Sequence, residues 1–224
     1  QLFTLKNTKN KKIITTNSGI KIKIPNSSNA KILVEKLNKF NDLTKVAEVY
    51  QPKKLDPIIV LKNVDKTEST TKIIKTICSI NENLKGREAD MTFSFASNTE
   101  TSTRDIVLRV KPNIYETIKQ QNFMIYLTNQ VVRVQKRVFV RQCQNCLCFN
   151  PDHKTSTCKN PKVCKTCGAK GDHTCTNINK CGNCSVHPHF KDSPDHNHKP
   201  NNLYCPLYKA QMDIVESRTD YGNG

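Results

Sequence analysis

The sequence predicts an α+β protein built from small units: strand-and-helix domains followed by a loop-rich region that metal ions, not an apolar core, would have to order. Three observations carry this expectation. Residues 54–141 read as β-α-β-β-α-β, the apolar periodicity stops near residue 141, and ten of the eleven cysteines and all six histidines lie between 143 and 205.

The elements of the middle region follow from side-chain period. IIVLKNV (58–64) is a short apolar run suited to a central strand, and TKIIKTICSI (71–80) places Ile73, Ile74, Ile77, Cys78 and Ile80 on one helical face. In MTFSFA (91–96) Met91, Phe93 and Phe95 alternate, and in DIVLRV (105–110) Ile106, Leu108 and Val110 do the same. The polar SNTETSTR separates those strands. Pro112 then opens a second helix over 113–121, with Ile114 and Ile118 four apart, and VVRVQKRVFV (131–140) closes the series as a strand. This is the split βαβ order of ferredoxin-like and RNA-recognition-motif-like domains. Cys78, within the apolar stripe, is expected to be a core residue.

The first 53 residues read as the C-terminal part of a similar domain. IKIKI (20–24) alternates, SSNAKILVEKLNKF (27–40) stacks Ala30, Leu33, Leu37 and Phe40 behind a serine cap, and LTKVAEVY (43–50) is the expected last strand. QPKKLDP (51–57), with two prolines, would be the linker. The expected organisation is therefore 1–53, 54–141, a metal-ordered region over 142–210 and a tail over 211–224. The chain begins at Gln1 instead of Met, so it reads as a fragment.

Composition narrows the partners. The 224 residues are 36% hydrophobic, low for one large core, and 36 Lys and Arg against 19 Asp and Glu leave a charge of +17. By segment this is +8 for 1–53, +6 for 54–141, +5 for 142–210 and −2 for the tail. A field of that sign attracts polyanions, nucleic acid first and an anionic membrane surface second. No apolar run approaches the length of a membrane span, and no signal peptide is visible.

CxxC pairs occur at Cys143/Cys146, Cys164/Cys167 and Cys181/Cys184, each followed by a His and a Cys. Two thiolates on one tight turn can reach a single tetrahedral Zn²⁺, whereas a disulfide scaffold would not need histidine. The simplest partition is three structural zinc ions: Cys143, Cys146, His153 and Cys158; Cys164, Cys167, His173 and Cys175; Cys181, Cys184, His198 and Cys205. Cys148 competes with Cys146 in the first set. His187, His189 and His196 compete with His198 in the third, and a cross-braced arrangement competes with the whole partition. Four protein ligands leave no open coordination position, and each such site adds a charge of only about −1, so the basic side chains still dominate.

A domain similar to RNA-recognition motifs, a basic strand running into RQCQNCLCFNPDH, then KVCKTCGAKGDHTC, KCGNC and HKPNNLYCPLYK, resembles the Gag-like first-open-reading-frame proteins of jockey-type non-LTR retrotransposons. The Cys205-Pro206 step with Tyr208 two residues on, and the passage from GIKIKIPNSSNAKILVEKLNKF to PKKLDPIIVLKNV, extend the match over about residues 20–210. The resemblance implies tandem domains of that class ahead of three CCHC zinc knuckles. It further implies packaging of the element's RNA into an intracellular, cytoplasmic or nuclear ribonucleoprotein, chaperone behaviour towards RNA or single-stranded DNA, self-association, and contact with the element's reverse transcriptase.

Contacts to nucleic acid are expected from two places. Arg133, Lys136, Arg137 and Arg141 would run one basic stripe towards the first zinc, unless they simply solvate the outer face of a strand. In the knuckles, Lys154, Lys159, Lys162, Lys165 and Lys170 would hold a backbone, with Phe149, Phe190 and Tyr204 as stacking platforms, unless those rings pack on a neighbouring knuckle. The central strands IIVLKNV and DIVLRVKP carry no aromatic residue, so this sheet lacks the rings of true RNA-recognition motifs and could serve assembly instead. No P-loop, HExxH motif or carboxylate cluster is present, so an enzyme is not expected.

Overall fold

The computed structural model describes residues 12–16, 19–23, 27–97, 100–192, 196–200 and 202–222. It is a mixed α and antiparallel-β protein with its Cys/His clusters in the C-terminal region, and it divides into two compact units, 1–53 and 54–224. No helix among the described residues is long and apolar enough to cross a membrane.

The first unit holds a hairpin, β1 (Lys12–Thr16) and β2 (Gly19–Lys23), in which Ile13 stands opposite Ile22. After it come α1 (Ser27–Asn38) and a single helical turn, α2 (Asn41–Thr44). The expected serine cap and Ile24 fall outside the described side chains. The strand expected over 43–50 does not form. Thr44 Oγ1 donates to the Asn41 carbonyl at 3.1 Å and Lys45 lies 3.6 Å from Asp42, so local helical contacts hold the start of this segment. Val46, 81% exposed, has no core to alternate against.

The second unit is built on a five-stranded sheet. β3 (Ile58–Asp65), α3 (Ile73–Ile80), β4 (Met91–Ala96), β5 (Thr103–Val110), α4 (Pro112–Gln120), β6 (Met124–Tyr126) and β7 (Val131–Arg137) follow in the chain. The sheet is antiparallel throughout, in the order β4-β5-β3-β7-β6. Both helices cover one face. Ile73, Ile77 and Cys78 of α3 and Ile114, Tyr115 and Ile118 of α4 enclose a core with Ile59, Leu61, Ile106 and Leu108. Burial pushes the Cys78 thiol up, as suits a core cysteine.

Two details depart from the simple period. Phe93 pairs with Leu108 but Phe95 pairs with Val107, so an extra residue at Ser94 makes a bulge and turns Phe95 to the face away from the helices. Met91, Phe93 and Phe95 therefore do not share one face. The three-residue β6, unanticipated from sequence, is pinned by buried Asn81. Its amide donates to the Tyr126 carbonyl at 2.9 Å, and its side-chain oxygen accepts from the Tyr126 N–H at 3.0 Å.

Residues 211–222 are not a tail. Helix α5 (Pro206–Ser217) crosses the expected boundary at 210, and its C-terminal end is tied back to the sheet. Glu216 pairs with Lys136, Thr219 bridges Leu55, and Tyr221 packs against Tyr115 with ring centroids 4.9 Å apart. Leu55 donates to the Arg218 carbonyl at 2.8 Å and accepts from Asp220 at 2.9 Å. The second half of the expected linker is thereby ordered within this unit.

Candidate metal centres

The third part of the chain has little regular structure, and repeated tight turns position its ligands. In the first turn the Cys143 N–H donates to the Cys148 carbonyl at 3.0 Å and the Leu147 N–H to the Cys143 carbonyl at 3.0 Å. The second repeats this pattern, with Cys164 donating to Ala169 at 2.9 Å and Gly168 to Cys164 at 3.1 Å. Each needs a left-handed residue after its second cysteine: Leu147 (φ +58°) and Gly168 (φ +71°). The third starts differently, Cys181 donating to the His196 carbonyl at 2.9 Å.

These turns gather three Cys₃His quartets: Cys143, Cys146, His153 and Cys158; Cys164, Cys167, His173 and Cys175; Cys181, Cys184, His198 and Cys205. Within each, the four ligand atoms lie within 4.8 Å of one another. A tetrahedral ion with metal–sulfur bonds of about 2.3 Å and metal–nitrogen bonds of about 2.0 Å requires S···S edges of about 3.8 Å and S···N edges of about 3.5 Å. The Cys164–Cys175, Cys181–Cys205 and Cys184–Cys205 sulfur pairs are 3.8, 3.8 and 3.5 Å apart, and Cys146 Sγ lies 3.5 Å from His153 Nε2. In the second quartet Cys167 Sγ is 3.1 Å from His173 Nε2.

The histidines are aimed. His173 Nδ1 donates to the Gly171 carbonyl at 3.0 Å, which leaves Nε2 as the lone-pair atom beside the sulfurs. His153 Nδ1 meets Asp152 at 3.2 Å and likewise turns Nε2 inward. His198 is 6% exposed, yet neither of its ring nitrogens has a hydrogen-bond partner. Leaving such a group unsatisfied costs about 1–3 kcal/mol, and a metal ion bound at one nitrogen would relieve it. The residues present thus fit a four-coordinate ion.

The competing residues stand outside the quartets. His196 Nε2 donates to the Phe190 carbonyl at 2.7 Å, and His187 Nδ1 accepts from the His189 N–H at 3.3 Å. Cys148 is exposed and stands outside the first quartet.

Electrostatics prepares some thiols for ligation. Burial pushes Cys143 up, but the backbone N–H groups of Cys146 and Asn145, with His153, outweigh it and bring the thiol down to about 6. The Cys167 and Thr166 N–H groups bring Cys164 to about 6, and the thiol of Cys205, ahead of the Cys184 N–H, brings Cys181 to about 5. Cys205 is pushed up by the Cys181 thiolate and by burial. The Gly171 carbonyl, followed by Cys164 and Cys167, raises His173 to about 9.

The three centres form one stacked body. Asn145 O accepts from the Val163 N–H at 2.8 Å, and the Asn183 amide donates to the Leu147 carbonyl at 2.7 Å. Phe149 lies against Tyr208, centroids 5.7 Å apart, beside the buried Cys181, Cys184 and Cys205. Gly168 meets Gly182 backbone to backbone: a Cβ on Gly168 would stand 2.8 Å from Gly182 N and 2.9 Å from Lys180 O. We therefore expect Gly168→Ala to cost more than about 1 kcal/mol and to weaken metal binding at the second centre, read by chelator competition. Parent-like competition would show that this junction is not needed. The motifs K-C-G-N-C and T-C-G-A carry these contact residues, but nothing local in them signals which glycine faces which.

The residues expected to contact nucleic acid are not one stripe. Lys136 stands opposite the buried Ile59 on the helix-bearing side, paired with Glu216 and 5.1 Å from the Tyr221 ring centroid. Arg133 and Arg137, an odd number of residues away, point to the other face. Arg141 donates to the carbonyls of Pro151 (2.5 Å) and His153 (2.7 Å), bracing the first centre. Lys165 donates to Gln144 at 2.9 Å. Lys154, Lys159, Lys162 and Lys170 are exposed, and Tyr204 is 86% exposed.

No protein-family model, curated protein or solved structure matches this chain. Fold and centres together define a class: an α+β protein with three tandem Cys₃His sites able to hold metal.

Proposed function

We propose that this chain is a non-enzymatic, zinc-dependent binder of single-stranded nucleic acid, RNA foremost, acting as the Gag-like component of a retrotransposon ribonucleoprotein inside the cell. The observation that carries this reading is the stacked triple Cys₃His body with Lys154, Lys159, Lys162 and Lys170 exposed around it, in a chain of charge +17. All-thiolate and imidazole donors of tetrahedral spacing favour Zn²⁺, and a closed ligand set suits a structural ion. The bound zinc supplies folding free energy. The chain's own lysines and Tyr204 do the contacting, phosphates at the former and an unpaired base at the latter.

The strand order, with both helices on one face, supports a domain of the ferredoxin-like, RNA-recognition-motif class with β6 added at its edge. Self-association and contact with the element's reverse transcriptase belong to the same reading.

The test is titration of a fluorescent single-stranded RNA with the zinc-loaded chain across a salt series. If four lysines each neutralise a phosphate, log K should fall against log salt with a slope of about −3, and chelation should abolish binding. Absence of binding, or binding indifferent to zinc, would sink the proposal. Oligomers that persist after nuclease and in high salt, without RNA affinity, would assign the chain to assembly instead.

A further inference from the structure

The two core helices cover one face of the five-stranded sheet, and the other face has its own chemistry. The bulge at Ser94 delivers Phe95 there, opposite Val107, which in turn pairs with Val60. Ile58 stands opposite both Arg109 and Arg137, and Phe139 follows β7. Together Ile58, Phe95, Val107, Arg109, Arg137 and Phe139 line a shallow depression of about 190 Å³. Its floor is apolar, its two rings are 43% and 51% exposed, and its rim is cationic.

Arginine already marks what these rings accept. The Arg137 guanidinium lies 5.2 Å from the Phe95 centroid, a planar cation over an aromatic face. Arg109, Arg133 and Arg137 have no ion pair among the described residues. The neighbouring carboxylate, Asp105, is engaged by Lys62 and lies within the field of Arg137. A hydrophobic protein partner would fill the floor but leave the Arg109 guanidinium to be desolvated without an ion pair, and that of Arg137 with only the field of a carboxylate already engaged. A ligand with a π-face and a phosphate satisfies both rings and cations.

We propose that this face is a second nucleic-acid site, binding an unpaired base of a single strand between Phe95 and Phe139 with its phosphates on Arg109 and Arg137. The central strands supply no ring; the edge strand and the segment after β7 supply them. Tyr126, 56% exposed on β6, pairs with Val131 on the same side, four strand spacings or about 19 Å from Phe95, so a strand crossing the sheet meets aromatic residues at both margins. The site rests on the reading that the chain binds single strands, but not on the metal centres.

The experiment is photo-cross-linking of the zinc-loaded chain to an oligonucleotide bearing 4-thiouridine, with the cross-linked peptides mapped, alongside titrations of the variants. The expected result is cross-links within 91–97 and 138–141 in addition to any within 142–210. Phe95→Ala/Phe139→Ala should lose the former and weaken binding about tenfold at unchanged zinc content. Arg109→Gln, an exposed change that spares the apolar floor, should lower both affinity and salt slope. Cross-links confined to 142–210, with both variants binding like the parent, would overturn the site while leaving the proposed function standing. Complete absence of binding would remove both. A mononucleotide that binds as tightly as the oligonucleotide would overturn the strand assignment in favour of a nucleotide pocket. Variants that change only sedimentation of the protein would overturn it in favour of a protein interface.

Discussion

Purified protein will carry three zinc ions per chain, Cys146→Ser will carry two, and Cys148→Ser will still carry three. The difference between the two cysteines is geometric. Cys146 is buried, with its sulfur 3.5 Å from His153 Nε2, whereas Cys148 is exposed and serves the turn through its backbone carbonyl, which serine retains. Structural zinc contributes on the order of 10 kcal/mol to small modules, so loss of one ligand from a quartet empties it at micromolar zinc.

Acid should strip the ions in a defined direction. The ligand is the thiolate, so protons compete with metal. Cys143 and Cys164, held at about 6, and Cys181, at about 5, stay deprotonated at neutral pH, and zinc binding weakens as pH falls through those values. His173, raised to about 9 in the metal-free protein, must give up its proton when zinc binds at pH 7, so loading of the second centre should release a proton from imidazole as well as from thiol. Elemental analysis and a pH-dependent zinc-release assay check both statements. A stoichiometry of zero or one, or zinc lost from Cys148→Ser, would refute the partition.

Disabling the third centre will destabilise a sheet that contains none of its ligands. Cys205 is at once a ligand of that quartet and the N-cap of α5, where its sulfur accepts from the Tyr208 N–H at 3.4 Å ahead of Pro206 in the first turn. At its far end the same helix holds the sheet through Glu216 and Lys136, the Leu55–Thr219 bridge, and Tyr221 against Tyr115. The helix is thus a strut between a metal centre and the core. His198→Ala, which removes a ligand without touching the cap, should lower the thermal midpoint of the sheet by on the order of 5 °C and speed amide exchange at Leu55 and Asp220. The corresponding His153→Ala at the first centre should have a smaller effect on those amides. Equal exchange in both variants would show that α5 is held by the sheet alone.

How much of this was legible before the fold was known depends on the range of the physics. Elements whose identity lies in their own period, such as β3, α3 and α4, appear within two residues of where their apolar spacing places them. The cysteine quartets are likewise local: a CxxC turn brings two sulfurs together whatever the rest of the chain does, and only the distant fourth ligand is a choice. In the third quartet that choice turns on the Phe190 carbonyl, which occupies His196 and leaves His198 to enter the centre. No spacing rule contains that contact.

The remaining decisions were tertiary for the same reason. Phe95 leaves the core face because one extra residue at Ser94 shifts the register against β5, a property of the pair of strands and not of either sequence. Lys136 parts from Arg133 and Arg137 because a strand alternates, and it becomes an anchor only because α5, some eighty residues later, returns Glu216 to it. By itself the sequence determined the strongly periodic elements, the three CxxC pairs with their short list of partners, and the charge. Only the tertiary structure decided which side chains are spent on holding the molecule together and which are left facing solvent, since long-range contacts compete for the same groups that local patterns make available.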